Sequence, residues 1–382
     1  MSCLEPGQWV IWHAEQSGQK IPNPQAPPLN KGDNSASCTN SGTVYLRCDN
    51  LLTPAACNWL VPVNEIANET VNDSTSPIHL CRACRLNRVI PDLTDPDHPD
   101  NGILWGRIEQ AKRRLISVLL ILGLPVASRI TEDTERGMMF DFLRSPDNGP
   151  HVTTGHNTGL ITLDLQEADD AIREAARKAM REPYRTLLGH FRHEAGHYYW
   201  DRLVHNTPWA EGFQTLFGDE NQDYPASLRQ HYEQGPPAEW ELHYVSAYAS
   251  AHPWEDWAEC WAHYMHMRDA IDTALSFGLA VESTELEFTP FSLSSLYQPD
   301  HPEAQQFLDF LNKWTWLTTM LNEMSRSMGQ PDFYPFVLPC EVVAKLQFIH
   351  LVVTSVGLQS KSVVGSQESS AIVDTKQNQV SA

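Results

Sequence analysis

Catalysis is best supported by one pattern in this sequence, His193-Glu194-Ala195-Gly196-His197. Residues four apart in an α-helix lie on the same face, so His193 and His197 could direct two imidazoles toward one Zn²⁺. Glu194 would lie beside them, where its carboxylate could take a proton from a water on that metal. The pattern therefore predicts a catalytic zinc site. The alternative is a buried helix with ordinary core histidines.

A third ligand must come from elsewhere in the chain, because catalytic zinc sites keep three protein ligands and one water. The longer motif that adds a third histidine is absent, since Trp200 and Leu203 occupy its glycine and histidine positions. A carboxylate from a second helix is the better candidate, and Glu255 is suitably placed. Glu259, one turn later, would accept a hydrogen bond from the free ring nitrogen of a ligand histidine.

Two further residues could assist at this site. Tyr248 precedes Glu255 by seven residues and could donate its hydroxyl proton in a hydrogen bond to the developing oxyanion. His190 lies nearly on the same helical face as His193. We expect His190 to be a structural residue, or one that supports the ligands from their surroundings, rather than to bind the metal.

A glycine-flanked turn, residues 155–159, stands just before the strand-like stretch Leu160-Ile161-Thr162-Leu163. A strand next to a zinc helix is a place where an extended peptide could add as one more strand. We therefore predict four substrate-binding residues in the turn: Gly155, His156, Asn157 and Gly159.

Four cysteines could hold a second, structural zinc. Cys81 and Cys84 form a Cys-x-x-Cys knuckle, and Cys48 and Cys57 precede it. Four thiolates around one Zn²⁺ would fix a loop-rich segment that has little apolar surface of its own. A redox pair and incidental thiols are the alternatives, but a redox pair is expected in a βαβ context rather than in an arginine-rich loop.

The elements that must position these residues are mostly helical, so the fold class is α+β, mainly α. A cysteine-containing module, residues 1–90, is followed by a Pro/Asp-rich linker, 91–101, a helical domain, 102–357, and a disordered tail, 358–382. Periodicity predicts strands at 137–143 and 151–165 and an irregular stretch at 206–237. The predicted helices are 102–122, 167–180, 184–204, 240–248, 254–277, 307–328 and 341–356.

Composition limits the partners of this chain. Its 382 residues include 27 basic and 48 acidic ones, a net charge of -21, which would repel nucleic acid and anionic lipid. The longest apolar run, residues 115–127, is too short to span a bilayer, and the N-terminus lacks the features of a signal peptide. We therefore expect a cytoplasmic protein with a peptide or protein partner, no membrane and no nucleic acid. The sequence does not predict the oligomeric state.

The segment from Tyr248 to Glu259, YASAHPWEDWAE, resembles the Tyr-x6-Glu-x-x-Ala-Glu segment of gluzincin metalloproteases of the anthrax-lethal-factor type. The resemblance implies that Tyr248 is catalytic, that Glu255 is the third zinc ligand and that Glu259 hydrogen-bonds a ligand. It also implies a gluzincin-like zinc metallopeptidase domain.

Over about residues 45–356 the chain more closely resembles bacterial zinc-binding metallopeptidases that begin with a zinc ribbon. The matching segments include CRACRLN, TGHNTGLITL, YRTLLGHFRHEAGHYYWDRLV, HPWEDWAECWAHYMH and RSMGQPDFYPFVL. Members usually open with a pair of Cys-x-x-Cys knuckles, whereas this chain has only Cys3 and Cys38 there, so the first half of the ribbon is expected to be degenerate.

The resemblance implies a hydrolase with one catalytic and one structural Zn²⁺. A different class of function is also compatible with the sequence, a non-catalytic adaptor whose zinc ribbon binds a protein or nucleic-acid partner. An adaptor has no use for Glu194 or Tyr248, and both are present. Their presence favours the enzyme.

Overall fold

The fold is mainly helical and also contains two small β-sheets. The structure is a computed structural model and describes residues 35–37, 44–62, 78–180, 182–279 and 291–356. Its mainly helical composition with some β structure confirms the predicted fold class. Cys3, Cys38 and the predicted disordered tail, 358–382, lie outside the described residues.

The first sheet is antiparallel, with strand order β1-β2-β3: β1 is Ser35–Ser37, β2 is Val44–Arg47 and β3 is Leu60–Pro62. Cys48 directly follows β2, and Cys57 lies three residues before β3. The hairpin between β2 and β3 therefore brings the first two cysteines of the predicted zinc site to one end of the sheet.

The second sheet has strand order β4-β5-β7-β6, with β4 at Asn87–Val89, β5 at Met139–Leu143, β6 at Gly155–Asn157 and β7 at Leu160–Asp164. Strands β4, β5 and β7 run parallel, and β6 pairs antiparallel with β7. Strand β4 belongs to the predicted N-terminal module, yet it pairs with a strand of the helical domain. The linker at 91–101 therefore connects two segments that already share a sheet.

A two-residue turn joins β6 to β7. Thr158 and Gly159 have φ of 46° and 87°, which is the left-handed pair that such tight hairpins require. A Cβ at Gly159 would lie 2.4 Å from the carbonyl oxygen of Gly137. The turn itself therefore requires glycine at position 159. This structural role is separate from the substrate-binding role predicted for Gly159.

Eight helices can be followed within the described residues. They are α1, Asn101–Ile121; α2, Asp170–Met180; α3, Leu187–Leu203; α4, Ala210–Phe217; α5, Tyr224–Gln234; α6, Pro253–Ser276; α7, Ala304–Ser327; and α8, residues 340–356. Among the described residues, none of the helices has the length and apolarity that crossing a bilayer requires.

Three of the secondary-structure predictions from the sequence need correction. Helix α3 begins after Thr186 rather than at Tyr184, because the Thr186 hydroxyl caps it by accepting from the N–H of Gly189 at 3.0 Å. The helix predicted at 240–248 is wrong, since only the 3-10 turns Trp240–Leu242 and Tyr248–Ala251 form there. The stretch predicted as irregular, 206–237, contains α4 and α5, each ended by a glycine with positive φ.

Close packing of α3 on α6 forms the centre of the helical domain. Gly196 lets the helices approach, because a Cβ there would lie 2.9 Å from the Cα of Ala258. The indole N–H of Trp257 donates to the Gly196 carbonyl at 2.9 Å, and Trp261 stacks on Tyr199 with ring centroids 4.9 Å apart. This packing sets the separation between the two helices that carry the predicted metal ligands.

Candidate metal centre and active site

Three side-chain atoms from α3 and α6 converge on one point. Nε2 of His193 lies 3.0 Å from Oε2 of Glu255, Nε2 of His197 lies 3.5 Å from the same oxygen, and the two Nε2 atoms are 3.1 Å apart. A tetrahedral Zn²⁺ with bonds of about 2.0–2.1 Å separates its ligand atoms by about 3.3–3.4 Å. The three groups therefore have the dimensions of three corners of a zinc tetrahedron.

Local sequence explains how Glu255 reaches this point. His252 caps α6, its Nδ1 accepting from the N–H of Trp254 at 3.1 Å, and Pro253 occupies the first turn. Glu255 thus lies in the first turn of a long helix, where exposed backbone N–H groups favour a negative charge. The side chain is 1% exposed, so its charge requires a cationic partner.

Burial and charge act in opposition at this centre. Burial alone would favour neutral Glu255 and neutral His193. The imidazoles of His197 and His193 nevertheless hold the pKa of Glu255 well below its usual value. Glu255 and Glu259 in turn hold the pKa of His193 well above its usual value. The site therefore strongly favours a positive charge between these groups, which a divalent cation would supply.

His193 is oriented by a carboxylate on the next turn of α6. Its Nδ1 lies 2.7 Å from Oε1 of Glu259, and the hydroxyl of Ser246 donates to the other carboxylate oxygen at 2.7 Å. A proton on Nδ1 leaves the Nε2 lone pair directed at the metal position. The structure thus gives Glu259 the contact that was predicted for it. Ser246 was missed by the sequence analysis.

Glu255 has a second partner that sequence reasoning also missed. The hydroxyl of Tyr224 donates to Oε1 of Glu255 at 2.5 Å. Tyr224 lies 31 positions earlier, in a stretch predicted to be irregular. No spacing rule links the two residues, so only the folded chain reveals the contact.

Glu194 and Tyr248, the two predicted catalytic residues, both lie next to His193. Glu194 is 8% exposed and follows His193 directly on α3. The ring of Tyr248 lies 6.0 Å from that of His193, centroid to centroid. Burial raises the pKa of Tyr248, with nearby carboxylates adding to the effect, so its hydroxyl stays protonated and can act as a donor.

The predicted substrate-binding turn lies next to the histidine pair, but His156 faces inward. Its ring stacks at 6.5 Å on that of His197, its Nε2 accepts from the N–H of Gly159 at 2.8 Å, and burial lowers its pKa to about 3. The side chain of His156 is therefore used within the fold. Strand β6, Gly155–Asn157, is the last strand of the described sheet, so one backbone edge is not paired within it.

His190 contacts a carboxylate that is not among the proposed metal ligands. Its Nδ1 lies 3.3 Å from Oε2 of Glu167, and Arg185 binds the other oxygen of that carboxylate at 3.0 Å. This contact ties the start of α3 to the turn before α2. The contact is compatible with the structural role that the sequence analysis allowed for His190.

The four predicted cysteines meet in a buried cluster. Cys48, Cys57, Cys81 and Cys84 are at most 1% exposed, with sulfur atoms within 4.8 Å of one another. The Sγ atoms of Cys57 and Cys81 are 3.6 Å apart, close to the roughly 3.8 Å expected around a tetrahedral Zn²⁺ and far from the roughly 2.05 Å of a disulfide. The N–H of Cys81 also donates to Sγ of Cys48 at 3.4 Å. The cluster fits one structural metal ion.

Both candidate sites lie within regions of the chain that match known families. Residues 101–352 match the family described as "Putative zinc-binding metallo-peptidase", and residues 3–95 match a zinc-ribbon domain. Uncharacterised proteins from Mycobacterium bovis and from two strains of Mycobacterium tuberculosis are 44% identical over 304 residues, which is 79% of this chain and 81% of each relative. No solved structure matches the chain. The chain belongs to this zinc-binding metallopeptidase family and carries a zinc-ribbon domain at its N-terminal end, as the sequence predicted.

Proposed function

We propose that this protein is a zinc-dependent peptidase, with one catalytic Zn²⁺ at His193, His197 and Glu255 and one structural Zn²⁺ at the four cysteines. One observation carries the proposal: the three ligand atoms lie 3.0–3.5 Å apart, on two helices, with Glu194 beside them. A buried helix with ordinary histidines would not require two Nε2 atoms and a carboxylate oxygen to converge on one point.

Each catalytic residue has a distinct task in this proposal. Bound Zn²⁺ would lower the pKa of a water and polarise the scissile carbonyl. Glu194 accepts the proton of the attacking water and later delivers it to the amine nitrogen of the leaving peptide. The Tyr248 hydroxyl donates a hydrogen bond to the carbonyl oxygen as negative charge develops on it. Glu259 keeps His193 in the tautomer that leaves its Nε2 free.

The substrate is proposed to be an extended peptide or protein segment. The backbone edge of β6 could pair with such a segment, since its other edge is already paired with β7. His156 and Asn157 would then contribute through their backbone groups. A cytoplasmic location is proposed because Cys48, Cys57, Cys81 and Cys84 form no disulfide with one another, and cysteines that bind zinc must stay reduced.

The test combines metal analysis with cleavage of a peptide library followed by mass spectrometry. Wild-type protein is expected to hold two zinc ions and to cleave a subset of the library. Glu194→Gln should keep both ions and lose about 100-fold or more in rate, because it removes the general base. Glu255→Ala should lose one ion, because it removes a ligand. Cleavage by Glu194→Gln at the wild-type rate would refute the proposal. Two bound ions with no cleavage by the wild type would favour an adaptor.

A further inference from the structure

The hydrogen bond from Tyr224 divides the two oxygens of Glu255 between two tasks. Oε2 faces Nε2 of His193 and of His197 at 3.0 and 3.5 Å, and Oε1 accepts the Tyr224 hydroxyl at 2.5 Å. A carboxylate can bind a metal through one oxygen or both. In this structure Oε1 already accepts a hydrogen bond from the protein, which leaves Oε2 as the oxygen that faces the two histidines.

We propose that Tyr224 is a positioning residue that keeps Glu255 a one-oxygen ligand and so leaves the fourth zinc position to water. The inference rests on the metal site of the proposed function and deepens it. If Oε1 were free, Glu255 could rotate and bind through both oxygens, which would crowd the position where a water must bind. The Tyr224 hydrogen bond opposes that rotation.

The ring of Tyr224 is held by the residues on either side of Pro253, at the start of the helix that carries Glu255. Its centroid lies 5.2 Å from that of His252 and 5.6 Å from that of Trp254. Trp254 in turn packs on His197 at 3.8 Å. Tyr224 therefore keeps a defined position relative to two of the three proposed ligands.

Tyr224 and Tyr248 have separate tasks in this arrangement. The Tyr224 hydroxyl is committed to Glu255, whereas Tyr248 approaches His193 through its ring at 6.0 Å and packs against His231 of α5 at 5.9 Å. Tyr248 therefore stays available for the substrate carbonyl. Tyr224 acts through the ligand, because its hydroxyl donates to Glu255.

Helix α5 brings Tyr224 to the site and is otherwise superficial. Asp223 caps it by accepting from the N–H of Ala226 at 3.0 Å, and none of its residues is fully buried. Gly218 before it and Gly235 after it have φ of 107° and 79°. The seating of α5 thus depends in part on the contacts of Tyr224, and displacement of this helix would release Oε1 of Glu255.

The experiment compares full-length wild type, Tyr224→Phe and Tyr232→Phe. Tyr232 lies on the same helix and is 66% exposed, so its variant is a matched control. Zinc affinity is measured by competition with a chelator. The catalytic site is then loaded with Co²⁺ while the cysteine cluster retains Zn²⁺, and the visible absorption of the cobalt is recorded. Four-coordinate Co²⁺ absorbs more strongly than five-coordinate Co²⁺, so the spectrum reports how many oxygens bind.

Tyr224→Phe is expected to weaken zinc binding at this site about 10- to 100-fold, as loss of a partner of a metal ligand does, and to weaken the cobalt absorption. Tyr232→Phe should match the wild type in both measurements. An unchanged affinity and spectrum in Tyr224→Phe would overturn the inference and leave the proposed function intact. A wild-type cobalt spectrum typical of five-coordination would also overturn it, and this measurement needs no variant. A wild type that binds no metal ion at His193, His197 and Glu255 would refute both proposals.

Discussion

Each proposed zinc ligand has a neighbour that fixes its orientation. Glu259 holds Nδ1 of His193 at 2.7 Å, Tyr224 holds Oε1 of Glu255 at 2.5 Å, and Trp254 packs on the ring of His197. Ordering a side chain costs conformational entropy, so a ligand that the fold already orients loses less freedom when an ion binds. These contacts make the three ligand atoms a preformed site.

Of the residues that hold the ligands through hydrogen bonds, the sequence analysis identified Glu259, which shares α6 with Glu255. It missed Ser246 and Tyr224. Glu259 was predictable because it lies four residues after Glu255, and residues at that spacing lie on one face of a helix. Ser246 and Tyr224 contact these carboxylates through the path of the folded chain, for which no spacing in the sequence gives a signal. The motif therefore predicted the candidate ligands, but the structure was needed to see how they are held.

His350, on α8, shows a separate residue-scale property, a buried histidine away from the metal centre. It is 3% exposed, its Nδ1 lies 2.9 Å from the hydroxyl of Tyr264, and its ring packs on those of Phe307 and Phe310. Burial, together with the positive charge of Arg268, lowers its pKa to about 4. The native fold therefore holds this imidazole in the neutral form.

This histidine should make folding stability depend on pH. An unfolded chain takes up the proton near about pH 6.5, whereas the folded chain does so only near pH 4, so the unfolded state binds more protons between these values. Stability contributed by neutral His350 is present above that window and is lost as pH falls through it.

We expect the wild type to lose about 2 kcal/mol more unfolding free energy than His350→Asn between about pH 7.5 and pH 5. Urea unfolding at the two pH values measures this difference, with the metal content of both proteins matched. His151→Asn, at an exposed position, is the control and should follow the wild type. Equal pH dependence in wild type and His350→Asn would contradict the assignment.

At the scale of elements, the distance between α3 and α6 decides whether the three ligand atoms can meet. Gly196 lies between His193 and His197, on the side where α3 approaches Ala258 and Trp261. The same five-residue segment, His193 to His197, thus provides both the ligand spacing and the close helix contact. A larger side chain at this position would separate the helices and move Glu255 away from the histidines.

Gly196→Ala should destabilise the fold by about 1–3 kcal/mol, because an added methyl in a packed interior forces its neighbours apart. A Cβ there would lie 2.9 Å from the Cα of Ala258, a backbone atom that cannot rotate away. Zinc affinity should fall together with stability. Urea unfolding and chelator competition provide the two measurements.

Gly155→Ala is the matched control, since a Cβ at Gly155 meets nothing within 4 Å and should leave stability nearly unchanged. If Gly196→Ala had wild-type stability and zinc affinity, the close approach of the two helices could not be what sets the geometry of the site.

The long helices were predictable from periodicity, whereas the short helices α4 and α5 were not. The regions of α1, α6 and α7 carry sustained apolar spacing and were predicted as helices. The two short helices between Asn206 and Pro237 were missed because prolines and glycines interrupt the pattern every few residues. Since α5 delivers Tyr224, the least predictable part of the fold contributes directly to the candidate site.

At the scale of the whole molecule, the cysteine cluster and the helical domain are joined rather than merely linked. Strand β4, which begins three residues after Cys84, pairs with β5. The cysteine cluster and β4 also contact α1. Sγ of Cys84 lies 3.8 Å from Oε2 of Glu109 on α1, and Asn87 donates to the other oxygen of that carboxylate at 2.8 Å. Lys112 completes the group by binding Glu109 at 2.7 Å.

The junction between the cysteine cluster, β4 and α1 contains charged groups that are buried from solvent. Glu109 and Lys112 are both fully buried, and Lys112 also lies 5.3 Å above the ring of Phe142 on β5. A buried ion pair is costly to break, because the remaining charge is left without a partner. Disturbing the cysteine cluster therefore exposes or strains groups that belong equally to the helical domain.

The junction predicts that the structural zinc stabilises the whole described fold and not the ribbon alone. Cys81→Ser should lose one zinc ion, and its urea unfolding should remain a single transition, with the free energy of unfolding lower by about 3 kcal/mol or more, because the binding energy of a structural zinc is folding energy. Most tryptophans, including the buried Trp257 and Trp261 of α6, lie in the helical domain, so tryptophan fluorescence mainly reports unfolding away from the cysteines. Cys340→Ser, at an exposed thiol, is the control and should keep both ions and wild-type stability. Two separate transitions, with the tryptophan signal unchanged in Cys81→Ser, would show instead that ribbon and helical domain fold independently, which the pairing of β4 with β5 argues against.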